Sequence, residues 1–185
     1  MKANWTDAVR KFILFKVLKP GGVRAYIPKI LVTGPFDAGK STFVHALSTR
    51  AVSVDRLGTT IALDHGHVDH KGFAADIFGT PGQARFDPII KLISGEAMGV
   101  FLVLDSTRAE DFARGKQMLE ITRSFGLPVV IIANKQDCDG TLTLEDIRGQ
   151  LDMPENMVIM PAVATTGEGV FEAFETLIDM VMEVG

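Results

Sequence analysis

Residues 34–41 read Gly-Pro-Phe-Asp-Ala-Gly-Lys-Ser, the spacing G-x-x-x-x-G-K-[ST]. Glycines at both ends let a loop turn its backbone N–H groups inward. A helix that follows points its positive end at the same place, so the segment suits a polyphosphate. Gly34, Asp37, Ala38, Gly39, Lys40, Ser41 and Thr42 are the positions expected to bind it. Lys40 would reach the β- and γ-phosphates as a point charge, and the Ser41 hydroxyl is a ligand for Mg²⁺. The loop alone does not separate ATP from GTP. A second group, Asn134-Lys135-Gln136-Asp137, follows the apolar run Val129–Ala133. The Asp137 carboxylate can accept from guanine N1–H and the 2-amino group together, whereas adenine would leave it unpaired. The pair of motifs therefore favours a guanine nucleotide over the substrate of a small ATP-using kinase.

Groups so distant in the chain need a scaffold that brings them to one edge. Apolar runs at Lys29–Thr33, Gly99–Asp105, Leu127–Ala133 and Met157–Met160 alternate with helical patterns at Thr42–Thr49, Glu110–Phe125, Leu144–Leu151 and Val170–Val184, and a short helix ends near Ser94. Continuous apolar strands between helices mark a parallel sheet covered on both faces. Ile61–Val68 and Gly72–Phe78 read as a hairpin, and residues 50–60 as a loop. The expectation is an α/β P-loop NTPase fold. It has a six-stranded, mostly parallel sheet with one antiparallel edge strand, and helices on both faces. Residues 29–185 form the nucleotide-binding domain, and 1–28 a basic helix (7–18) with its linker.

The 185 residues, 46% apolar and 23% charged, suit one globular domain. Cys138 is the single cysteine, read as a small buried filler that forms no internal disulfide. The net charge of −4 is uneven. Residues 1–29 hold seven lysines and arginines against Asp7, a net +6, which leaves −10 for the rest. The acidic body argues against general nucleic-acid binding. The basic, largely apolar start could dock on the domain or a partner, or lie on an acidic membrane surface. Lys2 is incompatible with N-myristoylation, no prenylation cysteine stands at the end, and no signal peptide is expected, so the location expected is cytoplasmic or peripheral at the inner membrane surface.

With both motifs in place, residues 29–184 resemble the Ras-like small GTPases, above all the bacterial and archaeal ones related to the gliding-motility polarity switch. The carriers are the Gly34-Pro35-Phe36 loop start and Phe78-Gly79-Thr80-Pro81-Gly82-Gln83. The resemblance implies a GTP/GDP switch with Mg²⁺, protein effectors and regulators, roadblock-type partners among them. It casts Thr60 as the switch I threonine that ligates Mg²⁺ and senses the γ-phosphate, with Thr59 as the competing choice. Gly82 becomes the switch II γ-phosphate sensor, and Gln83 the residue that orients the attacking water. Asn134, Lys135 and Asp137 become the base-recognition set. Val163-Ala164-Thr165 becomes the loop whose Ala164 N–H would reach guanine O6. Lys40, Thr60 and Gln83 are the expected catalytic set.

Two departures from that family stand out. Gly79 occupies the place of the aspartate that sits behind Mg²⁺. A carboxylate from the paired hairpin strand could replace it, which makes Asp64 a metal residue alongside Ser41 and Thr60, with Asp76 the runner-up. Phe36 replaces a small residue near the γ-phosphate, where it could crowd an arginine finger, so slow hydrolysis is expected. Arg85 is a candidate arginine in cis. A guanine-nucleotide module with negligible hydrolysis is the alternative. His65, His67 and His70 suggest a metal site less than a solvated edge strand.

Overall fold

The computed structural model describes residues 27–50, 52–57 and 61–184. The expected N-terminal helix and the Thr59/Thr60 pair lie outside the described residues. In chain order the elements are β1 (Lys29–Thr33), α1 (Lys40–Leu47), β2 (Ser53–Leu57), β3 (Ile61–His70), β4 (Phe73–Gly79), α2 (Asp87–Ser94), β5 (Ala97–Asp105), α3 (Phe112–Arg123), β6 (Val129–Asn134), α4 (Leu144–Gln150), β7 (Val158–Pro161) and α5 (Val170–Val184). The strands form one sheet in the order β2-β3-β4-β1-β5-β6-β7.

The centre of the sheet follows from composition. β1, β5 and β6 are runs of Val, Ile, Leu and Phe with almost no exposed residue, as strands covered on both faces must be. On one face Phe43, Val44 and Leu47 of α1 meet Phe174, Leu177 and Ile178 of α5 over Val32, Phe101 and Val103. On the other, Ile90 of α2, Met118 and Leu119 of α3 and Ile147 of α4 close over Leu31, Leu102 and Ile131. α4 begins with a reciprocal cap: Asp146 N–H donates to Thr143 Oγ1 at 3.1 Å, and Thr143 N–H to Asp146 Oδ2 at 3.3 Å.

The α/β class, the parallel centre and the two helical layers are as the sequence implies, and among the described residues the sheet has seven strands where six were expected. Ser53–Leu57 pairs antiparallel with β3, from Ser53↔His65 to Leu57↔Ile61. Its mixture of polar and apolar residues reads locally as loop, and only the ladder with β3 makes it a strand. Among the described residues β3 is the one antiparallel strand, and β2 covers its edge from Ile61 to His65. Beyond that the edge at His67 and Asp69 is met by Thr49, and the three histidine side chains have partners within the protein. His67 Nδ1 lies 2.9 Å from Asp76 Oδ1, His65 stacks on Phe78 with ring centroids 4.7 Å apart, and His70 Nε2 lies 2.7 Å from Glu175 Oε1 on α5. Donors from Lys71 and His70 hold the Glu175 carboxyl below its usual range and tie the hairpin tip to α5. Among the described residues no trio of His, Cys, Asp or Glu side chains is arranged to hold a metal.

Candidate nucleotide site

The loop between β1 and α1 opens where the parallel strands end. Gly39 has φ 93° and its Cβ, if it had one, would stand 2.3 Å from Asn134 Nδ2, so only glycine fits at that turn. Asp37 also adopts a positive φ, 60°, which turns successive N–H groups of the loop. Phe36, by contrast, is 67% exposed at the mouth of the loop.

A cavity of about 400 Å³ is bounded by this loop, Asp64, and Gly79 to Gln83. Lys40 reaches into it. Its Nζ donates to Pro35 O at 2.5 Å, and burial pulls its pKa down to about 8 against the opposing pull of Asp64 and Asp37. A polyanion in the cavity would add to the countercharge that Asp64 and Asp37 give this largely buried ammonium. Ser41 Oγ donates to Asp64 Oδ2 at 2.5 Å, so a hydroxyl and a carboxylate converge on the cavity wall. Hard oxygen donors of that kind fit Mg²⁺, which takes one or two protein oxygens and completes its shell with water and phosphate.

Asp64 owes its place to strand register. It lies directly opposite Gly79 in the β3–β4 ladder, and a Cβ at 79 would stand 3.4 Å from Asp64 Oδ2. The carboxylate missing from β4 is thus delivered by the neighbouring strand to the same point. Asp76, the runner-up, sits on the opposite face with His67 and takes no part.

The base-recognition set gathers round a smaller cavity of about 130 Å³, which shares Gly39 and Thr42 with the first and is lined further by Asn134, Lys135, Asp137, Cys138, Ala164 and Thr165. The two are the ends of one trough. Asn134, only 2% exposed, is the crosslink: its Nδ2 donates to Ala38 O and its Oδ1 accepts from Ala164 N–H, both at 3.0 Å. The Ala164 N–H, expected to reach the base, donates here to Asn134 Oδ1 on the wall of this cavity. Val163 does not line this cavity, and its N–H pairs with Glu168 O instead. Lys135 Nζ donates to Asp105 Oδ2 at 2.6 Å and to Asp37 O at 3.0 Å, bracing the base loop against the phosphate loop. Burial would push the Asp105 carboxyl up, but Lys135 and the Thr107 donors outweigh it and hold the group below its usual range. Cys138 is exposed at this mouth beside Asp137, a correction to its reading as buried filler.

Gln83 is exposed at the rim of the larger cavity. Gly82 lies on the phosphate loop itself, where a Cβ would stand 2.4 Å from Phe36 N and 2.9 Å from Gly34 O. Arg85 points elsewhere, its guanidinium 4.8 Å from the Phe86 ring centre. Three contributors were missed in the sequence. Asp105, a charge ending an apolar strand, carried a visible signal. The Thr80 and Thr33 hydroxyls, 3.0 Å apart in the core, carried none. Neither did Arg114 on α3, whose Nε donates to Gly82 O at 3.1 Å.

A model of the ADP-ribosylation factor family matches residues 16–181. ADP-ribosylation factor-related protein 1 of Homo sapiens is 30% identical over 169 residues, spanning 83% of this chain and 84% of that protein. ADP-ribosylation factor-like protein 4A of Homo sapiens is 27% identical over 172 residues, with 83% of each covered. Among solved structures, the Arl6 BBS3 small GTPase from Trypanosoma brucei with bound GppNp has a TM-score of 0.71 at 18% identity, covering 85% of this chain and 99% of that one, and shares the fold.

Proposed function

The chain belongs to the ADP-ribosylation factor family of small GTPases, and we propose that it is a slow, Mg²⁺-dependent GTP hydrolase whose two nucleotide states are read by protein effectors. One observation carries this reading above the others: a single trough has the Lys40 cradle at one end and Asp137 at the other, with the buried Asn134 amide bonded to the loops of both. A nucleotide lying along it would put its phosphates and its base each against the group suited to it.

In this reading the loop N–H groups and Lys40 hold the phosphates and stabilise the charge that spreads as the γ-phosphoryl leaves. Ser41, with Asp64 behind it and Thr60 from switch I, would hold Mg²⁺, which when bound neutralises charge on the phosphate oxygens. Gln83, swung inward from the rim, orients the water for in-line attack, and the bond to the bridging oxygen breaks. Loss of the γ-phosphate then releases Thr60 and Gly82, an order–disorder switch.

Phe36 at the mouth and the outward Gln83 support a low unaided rate, of the roughly 10⁻⁴ s⁻¹ scale familiar for unassisted enzymes of the Ras type. The same two observations favour the second reading, a guanine-nucleotide module that barely hydrolyses. Its motifs at 34–36 and 78–83 support a place beside the polarity-switch GTPases, with roadblock-type regulators in a cytoplasmic setting. The basic segment 1–28 would supply any peripheral membrane contact. Competition of labelled GTP by GDP and ATP tests the core of the proposal, and ATP competing as well as GDP would end it. Single-turnover hydrolysis separates the two readings.

A further inference from the structure

α3 stands behind both phosphate-facing segments. At Gly115 it has no side chain, and the space is taken by Leu104, with the Pro35 ring 3.9 Å from the position of a Cβ. One residue earlier, Arg114 reaches switch II. Its Nε donates to the Gly82 carbonyl, and its two terminal nitrogens take the two carboxylate oxygens of Asp87 in the first turn of α2. The Arg114 side chain is only 17% exposed, which limits screening of this fork.

The carbonyl that Arg114 holds belongs to the peptide joining Gly82 to Gln83. A glycine ψ is the freest torsion available to that segment, and a donor on this oxygen removes the freedom. The direction in which Gln83 leaves Gly82 is thereby set from α3. The close seat of Gly82 on the loop at Gly34 and Phe36 is set from the same side. Arg114's own contacts, with Gly82 O and Asp87, lie outside the lining of the smaller cavity where the base would sit.

We propose that Arg114 is a positioning residue for the triphosphate state: by fixing the Gly82–Gln83 peptide it places Gln83 and makes the γ-phosphate end responsive, with Asp87 aligning the fork. The inference rests on the reading of the chain as a GTP-hydrolysing switch. Because Arg114 acts beyond the second phosphate, its loss should weaken the triphosphate state selectively.

The test uses the full chain and its Arg114→Ala and Arg114→Lys variants. It measures single-turnover GTP hydrolysis, the affinities of GDP and of a non-hydrolysable GTP analogue, and the melting temperature. Arg114→Ala should lower both the rate and the analogue-to-GDP affinity ratio about tenfold, the scale of one charge-assisted hydrogen bond. Its GDP affinity should stay within about twofold of the parent. Arg114→Lys keeps the charge without the fork and should fall between. An unchanged rate and ratio, or a parallel loss of GDP and analogue affinity, overturns the proposal. A parent protein that neither hydrolyses GTP nor distinguishes the analogue from GDP would instead remove the switch reading beneath it.

Discussion

If Asp64 replaces the carboxylate absent at position 79, the charge should be movable between the two strands. Asp64 and Gly79 are direct partners in the ladder, and Asp64 occupies much of the space beside Gly79: a Cβ at 79 would meet the Asp64 Cβ and Val44 Cγ2 at 3.2 Å each and Asp64 Oδ2 at 3.4 Å. The two positions therefore compete for one location, and Ser41 Oγ marks it. Asp64→Asn keeps the shape and removes the charge. Groups that orient a metal's direct ligands typically contribute ten- to a hundredfold in metal affinity, about 1.4–2.8 kcal/mol. The Mg²⁺ concentration needed to retain bound nucleotide should rise by that factor. Asp64→Gly should do the same, and the transposed pair Asp64→Gly/Gly79→Asp should recover at least about tenfold of the loss. Release of a fluorescent GDP analogue across a Mg²⁺ titration reads all four proteins, with thermal melts to confirm folding. A half-point for Asp64→Asn within twofold of the parent, or a transposed pair no better than Asp64→Gly alone, refutes the argument.

Asp137→Asn presents one donor and one acceptor where the carboxylate presents two acceptors. It should lose guanosine nucleotides by on the order of 10²-fold or more and gain xanthosine nucleotides, whose C2 oxygen accepts, as competition binding would show. Asp105 has a carboxyl held below its usual range, so its contribution is present above the unfolded-state value of about 3.9 and is lost as pH falls through the folded-state value. Urea midpoints should accordingly fall less steeply toward acid in Asp105→Asn than in the parent; parallel curves would contradict this. Thr143→Ala removes one half of the α4 cap and should cost about 1 kcal/mol in urea unfolding without altering nucleotide affinity.

The two motifs were legible because their chemistry is carried by the backbone and by side chains a few residues apart. The Lys40 loop and Asn134–Asp137 need only a strand before them, and the all-apolar runs declare the strands. The expectation for Asp64 comes from a gap: Gly79 stands where the family has an acid, and the hairpin ladder puts Asp64 opposite it. Where position depends on distant partners, local signals were poor. Ser53–Leu57 is a strand only because β3 offers its free edge. Cys138 looked like core by residue type, yet its neighbour Asp137 lies at a cavity mouth. Arg114 belongs to a polar helical turn, Ala113-Arg114-Gly115-Lys116-Gln117, and nothing local connects it with Gly82 in switch II.

The Asn134 amide has a consequence for how the chain would lose and regain its ligand. Its two bonds are made with the protein's own groups, so a ligand in the adjoining cavity would not have to order this crosslink and would forfeit little entropy there. The phosphate half is different: there burial lowers the pKa of the Lys40 ammonium, and a polyanion would favour its charged form. A partner that accelerates turnover of bound nucleotide would gain most by prying at the Lys40–Asp64 end.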